Sequence, residues 1–283
     1  MSNLNVTLAY FLSVMGLSAV VGAWLRRKGG RWAYLAQLPA SLALASCRLE
    51  CRLVEELGGW AGGLGPEVIL SVLFITLLAH GLCFPIADGN PSSSLQETLL
   101  MRSSTSSTLL SIPLQLGGAY LGLMLSKAYW ALELSDMHML RSLMGDECSS
   151  SLKSSLLLGF ACEMGTSLTL HLLVLYTLKR HTLIRVPLVA FTHTLLTHAA
   201  SSYSSGLANP SLAYAVTFYC PGFSFLQYAL VYWTAPLSGM ALAVFLYMGH
   251  IPKLFSRNLL YSQKGRFRIP KKKESGEARE KSS

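Results

Sequence analysis

Long apolar runs separated by short polar stretches make up most of the chain. A helix of about 20 apolar residues crosses a hydrocarbon core of about 30 Å, because each residue adds about 1.5 Å. Seven runs approach that length and are predicted to span a membrane: residues 3–25, 32–49, 68–84, 109–129, 156–178, 186–200 and 228–248. The pattern therefore predicts an all-α membrane protein.

Two shorter helices are predicted at residues 90–101 and 209–219, each after a long apolar run. Both begin with the same tripeptide, Asn90-Pro91-Ser92 in the first and Asn209-Pro210-Ser211 in the second. Asparagine caps the start of a helix, and proline fits the first turn because its missing N–H is not needed there. Segments of this length cannot span the membrane, so we expect two half-helices that enter and leave on one side.

Basic residues concentrate in three places: residues 26–31, residues 179–185 and the tail after residue 250. Positively charged loops stay in the cytosol, and the predicted spans place all three clusters on one side. Residues 32–131 and 154–250 then form two halves of opposite orientation, each with three spans and one half-helix, which is an inverted repeat. Residues 1–31 are predicted to be an extra N-terminal transmembrane helix with its basic loop, and residues 251–283 a basic cytosolic tail.

The composition also indicates a membrane protein, because 52% of the residues are hydrophobic, only 13% are charged and the mean hydropathy is +0.43. Soluble proteins carry about 25% charged residues. Much of the net charge of +9 lies in the tail. This placement favours contact with anionic membrane lipid over binding to nucleic acid, since no folded basic domain accompanies the tail.

The six cysteines show no metal-ligand spacing, and we expect no metal or other cofactor. Cys148 and Cys220 both fall on the exterior side of the predicted topology. A disulfide between them in an oxidising lumen and two free thiols both fit the sequence. His193 and His198 are five residues apart and do not share a helical face. We expect His193, like His171, to pack between helices.

Two facing half-helices have a chemical consequence. Their N-terminal ends put partial positive charge near the membrane midplane from both directions, and Asn90 and Asn209 add amide donors there. Water or a polyol hydroxyl can accept from those donors, whereas a cation is repelled, as in a pore for neutral solutes. Backbone carbonyls of residues 87–89 and 205–208 would supply acceptors, and the glycines at Gly89 and Gly206 suit the close approach of a solute.

Three strings resemble helices of the aquaporin (major intrinsic protein) family: Gln115-Leu-Gly-Gly-Ala119, Glu163 with Thr166, and the fairly specific Val231-Tyr-Trp-Thr-Ala-Pro-Leu-Ser-Gly239. The resemblance covers residues 34–250, and the two Asn-Pro-Ser stretches stand where that family has Asn-Pro-Ala. Residues 93–97, 130–136 and 255–264 resemble the superaquaporin branch, which comprises aquaporins 11 and 12, and the twelve side in particular.

This resemblance implies an aquaporin-like fold of six spans, with the extra N-terminal helix that the superaquaporin branch also has. It implies a homotetramer with one pore per protomer, no enzymatic step, and a location in intracellular membranes such as the endoplasmic reticulum or secretory vesicles. It also implies passive permeation of water, and it extends the candidate solutes to small neutral molecules such as glycerol and hydrogen peroxide.

The chain departs from the family at several pore positions. Orthodox members have arginine three residues after the second asparagine, where this chain has Leu212, so we expect a more apolar constriction. The partner histidine of water-selective members falls at Thr197 or His198. Gln37 replaces the glutamate of the first half, whereas Glu163 keeps that of the second, where a buried carboxylate would brace the loop backbone.

Two other functions fit the same pattern. A secondary transporter also contains inverted repeats and broken helices, but it needs a charged or coordinating site at the midplane, for which Glu163 is the candidate. A membrane scaffold that conducts nothing is favoured if Leu212 plugs the pore. An intramembrane enzyme is disfavoured because no pair of nucleophile and base stands out.

Overall fold

The computed structural model describes residues 3–61, 63–85, 87–144 and 148–249, apart from the side chain of Arg31. The predicted basic tail lies outside these ranges. In the described residues the regular elements are helices: α1 (Asn3–Lys28), α2 (Arg31–Tyr34), α3 (Gln37–Ala61), α4 (Pro66–Cys83), α5 (Pro91–Leu99), α6 (Thr105–Trp130), α7 (Asp136–Leu143), α8 (Leu156–Thr177), α9 (Thr182–Ala200), α10 (Pro210–Val216), α11 (Phe225–Ala229) and α12 (Ala235–Tyr247). A π-helical turn at Leu230–Thr234 joins α11 to α12.

Six helical segments of the described chain are long and apolar enough to cross a membrane. They are α1, α4, α6, α8, α9 and the continuous segment Phe225–Tyr247. Each lies over a run that the sequence predicts to span. The all-α fold with several membrane-spanning helices is therefore confirmed.

Helix α3 covers the remaining predicted span but differs from the other six. It has 25 residues and continues to Ala61, well past the predicted end at residue 49. Its C-terminal part stays helical although it is charged, because Arg52 and Glu56 form an ion pair of 2.7 Å one turn apart and Glu50 is buried among polar partners. Sixteen residues of α3, all between Pro39 and Gly58, are buried, so this helix lies inside the protein.

The two short helices begin one residue later than predicted, because Asn90 and Asn209 are the N-caps of α5 and α10. Both asparagines have extended backbone conformations, with φ of −121° and −142°. Helix α10 ends at Val216, where Thr217 leaves helical geometry. With 9 and 7 residues, α5 and α10 reach at most about 14 Å, so neither can span a membrane.

The two halves of the chain repeat the same hydrogen bond between helices. In the first half Ser41 of α3 donates to the carbonyl of Gln115 in α6, at 2.6 Å. In the second half Ser167 of α8 donates to the carbonyl of Pro236 in α12, at 2.7 Å. Both hydroxyls are buried. This correspondence supports the inverted repeat.

Close helix packing repeats in the same way. A Cβ atom on Gly118 of α6 would lie 2.3 Å from the carbonyl oxygen of Leu38 in α3. A Cβ atom on Gly239 of α12 would lie 2.3 Å from the carbonyl oxygen of Met164 in α8. Glycine is therefore required at both positions, because any side chain would push the paired helices apart.

A buried carboxylate ties the extra helix α1 to the rest of the protein. Glu50 of α3 is 0% exposed and accepts hydrogen bonds from Thr7 of α1 at 2.8 Å and from the indole of Trp130 at 2.7 Å. The ring of His138 in α7 lies 3.1 Å from the same carboxylate. One side chain thus connects four helices.

Candidate functional site

A cavity of about 840 Å³ extends to the N-terminal ends of the two half-helices. Side chains from both halves of the chain line it, including Gln37, His80, Gln96, His171, His193 and Leu212. Asn90 and Asn209 also line it. A solute in this cavity can therefore reach both asparagines.

The two asparagines make reciprocal hydrogen bonds. The Nδ2 amide of Asn90 donates to the carbonyl of Ala208 at 3.3 Å. The Nδ2 amide of Asn209 donates to the carbonyl of Gly89, also at 3.3 Å. Each acceptor is the residue that precedes the other asparagine. This pairing brings together two residues that the sequence predicts as pore residues and that lie far apart in the chain.

Helix capping fixes the orientation of both amides. Oδ1 of Asn90 accepts from the N–H of Ser92 at 2.9 Å. Oδ1 of Asn209 accepts from the N–H of Ser211 at 3.0 Å and of Leu212 at 3.3 Å. Because the oxygens cap the half-helices, both Nδ2 groups point away from them. An amide nitrogen carries two hydrogens, so each keeps one donor for a solute.

The two serines after the prolines behave differently. The hydroxyl of Ser211, at the start of α10, donates to the carbonyl of Gly89, which lies just before α5. The hydroxyl of Ser92 is buried and has no partner among the described residues. Ser211 therefore joins the two half-helix loops, and Ser92 has no equivalent bond.

Gly89 and Gly206 have positive φ angles of 68° and 53°. A Cβ atom on Gly89 would lie 2.8 Å from Cα of Ser41, and one on Gly206 would lie 3.2 Å from Cα of Thr197. The backbone that comes close to these glycines is that of α3 and α9. Glycine is therefore needed here for backbone conformation and helix packing, whereas the sequence indicated the close approach of a solute.

Glu163 and Gln37 occupy equivalent places in α8 and α3 but make different bonds. The carboxylate of Glu163 is 0% exposed and accepts from the backbone N–H of Leu207 at 3.0 Å and of Ala208 at 2.7 Å. Gln37 instead accepts from Nε2 of Gln115 at 3.0 Å. Glu163 thus holds the loop that presents the Ala208 carbonyl to Asn90.

Gln115 connects Gln37 to the first half-helix, α5. Its Nε2 amide also donates to Oγ of Ser94 in α5, at 2.8 Å. Gln37 therefore supports helix α5 through Gln115, and it has no hydrogen bond to the described part of the loop before Asn90. The two halves brace their half-helices by different routes.

The amino-acid sequence is similar to those of known proteins over nearly the whole chain. No family model matches the chain. It is 41% identical over 276 residues to aquaporin-12 of Mus musculus, which covers 96% of this chain and 95% of that relative. The chain belongs to the aquaporin family. It is also 39% identical over 273 residues to putative aquaporin-12B of Homo sapiens, with 96% and 90% coverage.

The superaquaporin branch is confirmed as well. Aquaporin-11 of Homo sapiens is 26% identical over 257 residues, which covers 90% of this chain and 93% of that relative. The higher identity to aquaporin-12 sequences agrees with the resemblance seen in the sequence. This aquaporin is therefore a multi-pass membrane protein of a channel family.

Leu212 marks the main departure of this aquaporin from the orthodox pattern. It is 3% exposed, lines the cavity and belongs to the apolar cluster around α3, α6 and α10. Where the cavity meets the half-helix α10, the apolar side chain of Leu212 therefore forms part of its wall. Its backbone N–H is already used by the Asn209 cap.

The structure separates the two candidates for the partner histidine position. Thr197 of α9 is buried, and its hydroxyl donates to the carbonyl of Gly206 at 3.4 Å. His198 is exposed and is not among the residues that line the cavity. His193, which the sequence indicated as a packing residue, lines the cavity one turn before Thr197. Its spacing of four residues from Thr197 was the available signal.

A disulfide joins Cys148 to Cys220, with their Cα atoms 5.2 Å apart. Cys220 follows α10 directly, so the bond attaches the segment after the half-helix to the segment before α8. Arg52 supports the same region, because it donates to the carbonyls of Val216 at 3.0 Å and of Ser149 at 2.6 Å. The end of α10 is thus held by covalent and polar contacts.

Proposed function

We propose that this aquaporin is a channel for the passive permeation of water and of small neutral solutes such as glycerol and hydrogen peroxide. The observation that carries the proposal is the reciprocal bonding of Asn90 and Asn209 at the inner end of the cavity. It leaves one amide donor of each asparagine for a solute. Permeation of this kind needs no catalytic step.

The charge distribution at this point favours neutral solutes. The N-terminal ends of α5 and α10 carry partial positive charge, and both asparagine side chains present N–H donors. A water oxygen that accepts from both donors turns its own hydrogens away from them, which interrupts a proton-conducting chain. A cation finds no free amide oxygen at the asparagines, since both Oδ1 atoms are used in capping. The carboxylate of Asp88, which also lines the cavity, accepts from the N–H of Asn90 at 3.3 Å.

The size and lining of the cavity support solutes larger than water. Its volume of about 840 Å³ is many times the volume of about 30 Å³ that one water molecule takes in the liquid. Leu212 adds an apolar surface to a wall that also carries polar groups such as Asn209. A polyol presents both kinds of surface, so glycerol fits this lining.

Osmotic shrinkage of proteoliposomes, followed by stopped-flow light scattering, tests the channel, with glycerol uptake measured beside it. We expect shrinkage well above that of empty liposomes. Val189 lines the cavity, whereas the adjacent Leu188 is 41% exposed on the outer face of α9. Val189→Trp should lower the water permeability, and Leu188→Trp should not.

The alternatives give different results in the same assay. Equal shrinkage of loaded and empty liposomes would contradict the channel and favour the scaffold. Saturable, ion-dependent uptake would instead favour a secondary transporter with Glu163 at its site. Loss of permeability in both tryptophan variants would indicate a folding defect in place of a blocked pore.

We also propose the assembly and location that the family resemblance implies. The protein would form a homotetramer with one pore per protomer, surrounded by membrane lipid. It would reside in intracellular membranes such as the endoplasmic reticulum or secretory vesicles, with its C-terminus in the cytosol. The basic residues at 26–31 and 179–185 support that orientation. Light scattering of the detergent-solubilised protein tests the stoichiometry, and protease protection of the tail in sealed microsomes tests the orientation.

A further inference from the structure

One face of α3 contributes to the wall of the cavity. Gln37 and Leu44, which are seven residues apart, both line the cavity. Arg48 lies one turn further along α3, on the same face as Leu44, because residues four apart in a helix stack above each other. The side chain that continues this cavity-facing stripe is therefore a cation.

Arg48 is buried and has no hydrogen-bond or ion-pair partner in the part of the chain that the structure describes. It is 6% exposed, and among the described residues no side chain or carbonyl accepts a hydrogen bond or forms an ion pair with it. In the described chain no nitrogen of Arg48 is both unpaired and fully enclosed, so each nitrogen is in contact with unoccupied space. A guanidinium in this setting needs water or a solute as its acceptor.

Arg52, one turn after Arg48, shows how this chain satisfies a structural arginine. Its Nε donates to Glu56 at 2.7 Å, and its other nitrogens donate to Ser151, Ser149 and the carbonyl of Val216. Arg52 therefore holds α3 against α10 and the neighbouring loop. Arg48 performs no such role.

His193 of α9 lines the cavity together with Leu212. Arg48 lies within electrostatic range of this histidine, which also bonds to the backbone of Gly206. Leu212 gives the half-helix α10 no cationic side chain at the cavity. Arg26, Arg102 and Arg185 line the cavity itself, and Arg48 is the cation that α3 adds next to Leu44, one turn further along the same face.

We propose that Arg48 is the selectivity-determining cation of the conduction path. Its guanidinium repels protons and metal cations and donates hydrogen bonds to the oxygen atoms of passing neutral solutes. This role rests on the proposed function as a channel, but the position of the side chain in the aqueous path can be tested without any transport.

Ion leak through proteoliposomes tests the selectivity. Arg48→Leu should raise the proton and potassium leak about tenfold, because it removes a unit charge from a low-dielectric path. Arg48→Lys should keep the leak near the wild-type value. Arg141→Leu is the matched control, since Arg141 lies on α7 beside a separate cavity of about 280 Å³. A conducting Arg48→Leu variant with wild-type ion exclusion would overturn the proposal.

Thiol labelling tests the position. A small, anionic methanethiosulfonate reagent should modify the Arg48→Cys variant at position 48, as located by mass spectrometry. Cys47 is the internal control, because it is the adjacent residue and is 0% exposed. Absence of labelling at position 48 would overturn the proposal whatever the water permeability. Liposomes that pass no water while labelling is intact would overturn only the proposed channel function.

Discussion

Asn90 and Asn209 each perform two tasks with one side chain. The amide oxygen caps a half-helix, and the amide nitrogen bonds to the loop before the other half-helix. A substitution that keeps the first task and removes the second therefore isolates the pore chemistry from helix capping.

Asn209→Asp is such a substitution. A carboxylate oxygen would replace Nδ2 and face the carbonyl oxygen of Gly89, and the negative charge would attract cations to the meeting point of α5 and α10. We expect potassium conductance in planar bilayers to rise about tenfold. Asn3→Asp is the control, because Asn3 also loses an amide bond to a carbonyl, that of Ala61, away from the cavity. Unchanged conductance in Asn209→Asp would argue that the half-helices do not meet in the path.

Leu212→Arg should narrow the range of solutes toward water. Leu212 lines the cavity and is 3% exposed, so a longer side chain with donors would occupy part of the path. We expect the ratio of glycerol to water permeability in proteoliposomes to fall about tenfold, which corresponds to about 1.4 kcal/mol. Leu212→Met, which conserves volume, should leave the ratio unchanged. A ratio in Leu212→Arg equal to that of wild type would show that Leu212 does not face the narrow part.

At the scale of the helices, stability depends on two close crossings. The α3–α6 crossing uses Gly118, and the α8–α12 crossing uses Gly239, each with its Cβ position 2.3 Å from a facing carbonyl oxygen. These crossings hold α3 and α8, which carry Gln37 and Glu163, at fixed distances from the half-helices.

Gly118→Ala tests the crossing against a neighbouring control. The added methyl group would meet the Leu38 carbonyl, so we expect a loss of stability of about 1–3 kcal/mol or more. Gly117 has no atom within 4 Å of its Cβ position, and Gly117→Ala should be neutral or stabilise the helix by up to about 1 kcal/mol. Thermal unfolding in detergent measures both. If the two variants melt at the same temperature, the close contact of α3 and α6 at Gly118 does not limit the size of the residue there.

At the scale of the whole molecule, the buried carboxylate of Glu50 joins the extra helix α1 to the channel fold. Thr7, Trp130 and His138 converge on it from three helices. Because all these groups are buried, removal of the carboxylate leaves donors without acceptors.

Glu50→Gln should therefore loosen α1. We expect a lower melting temperature, by the equivalent of about 1–3 kcal/mol, and faster hydrogen exchange in residues 3–12. Glu55→Gln is the control, since Glu55 is an exposed residue of the same helix. If exchange in residues 3–12 is as slow in Glu50→Gln as in wild type, the carboxylate does not hold α1.

The sequence alone predicted the elements of this fold. The length of each apolar run determines whether it can span a membrane, and Asn-Pro determines where a short helix begins. Both properties depend on residues close together in the chain. The basic clusters then predict the orientation of the two halves, so the expected inverted repeat rests on local information. The end of α3 was misplaced, because its charged residues have partners elsewhere in the chain. The short helices α5 and α10 also begin one residue later and end two or three residues earlier than predicted.

The tertiary structure decided which groups meet. Asn90 bonds to Ala208, 118 residues away, and Gln37 bonds to Gln115 in place of a loop. The lack of a described partner for Arg48 and the position of His193 in the cavity also depend on helices from both halves. No local pattern encodes such contacts, because side chains find their partners only after the halves pack. The sequence therefore determined that two half-helices exist, and the packing determined how they are held and what lines the path between them.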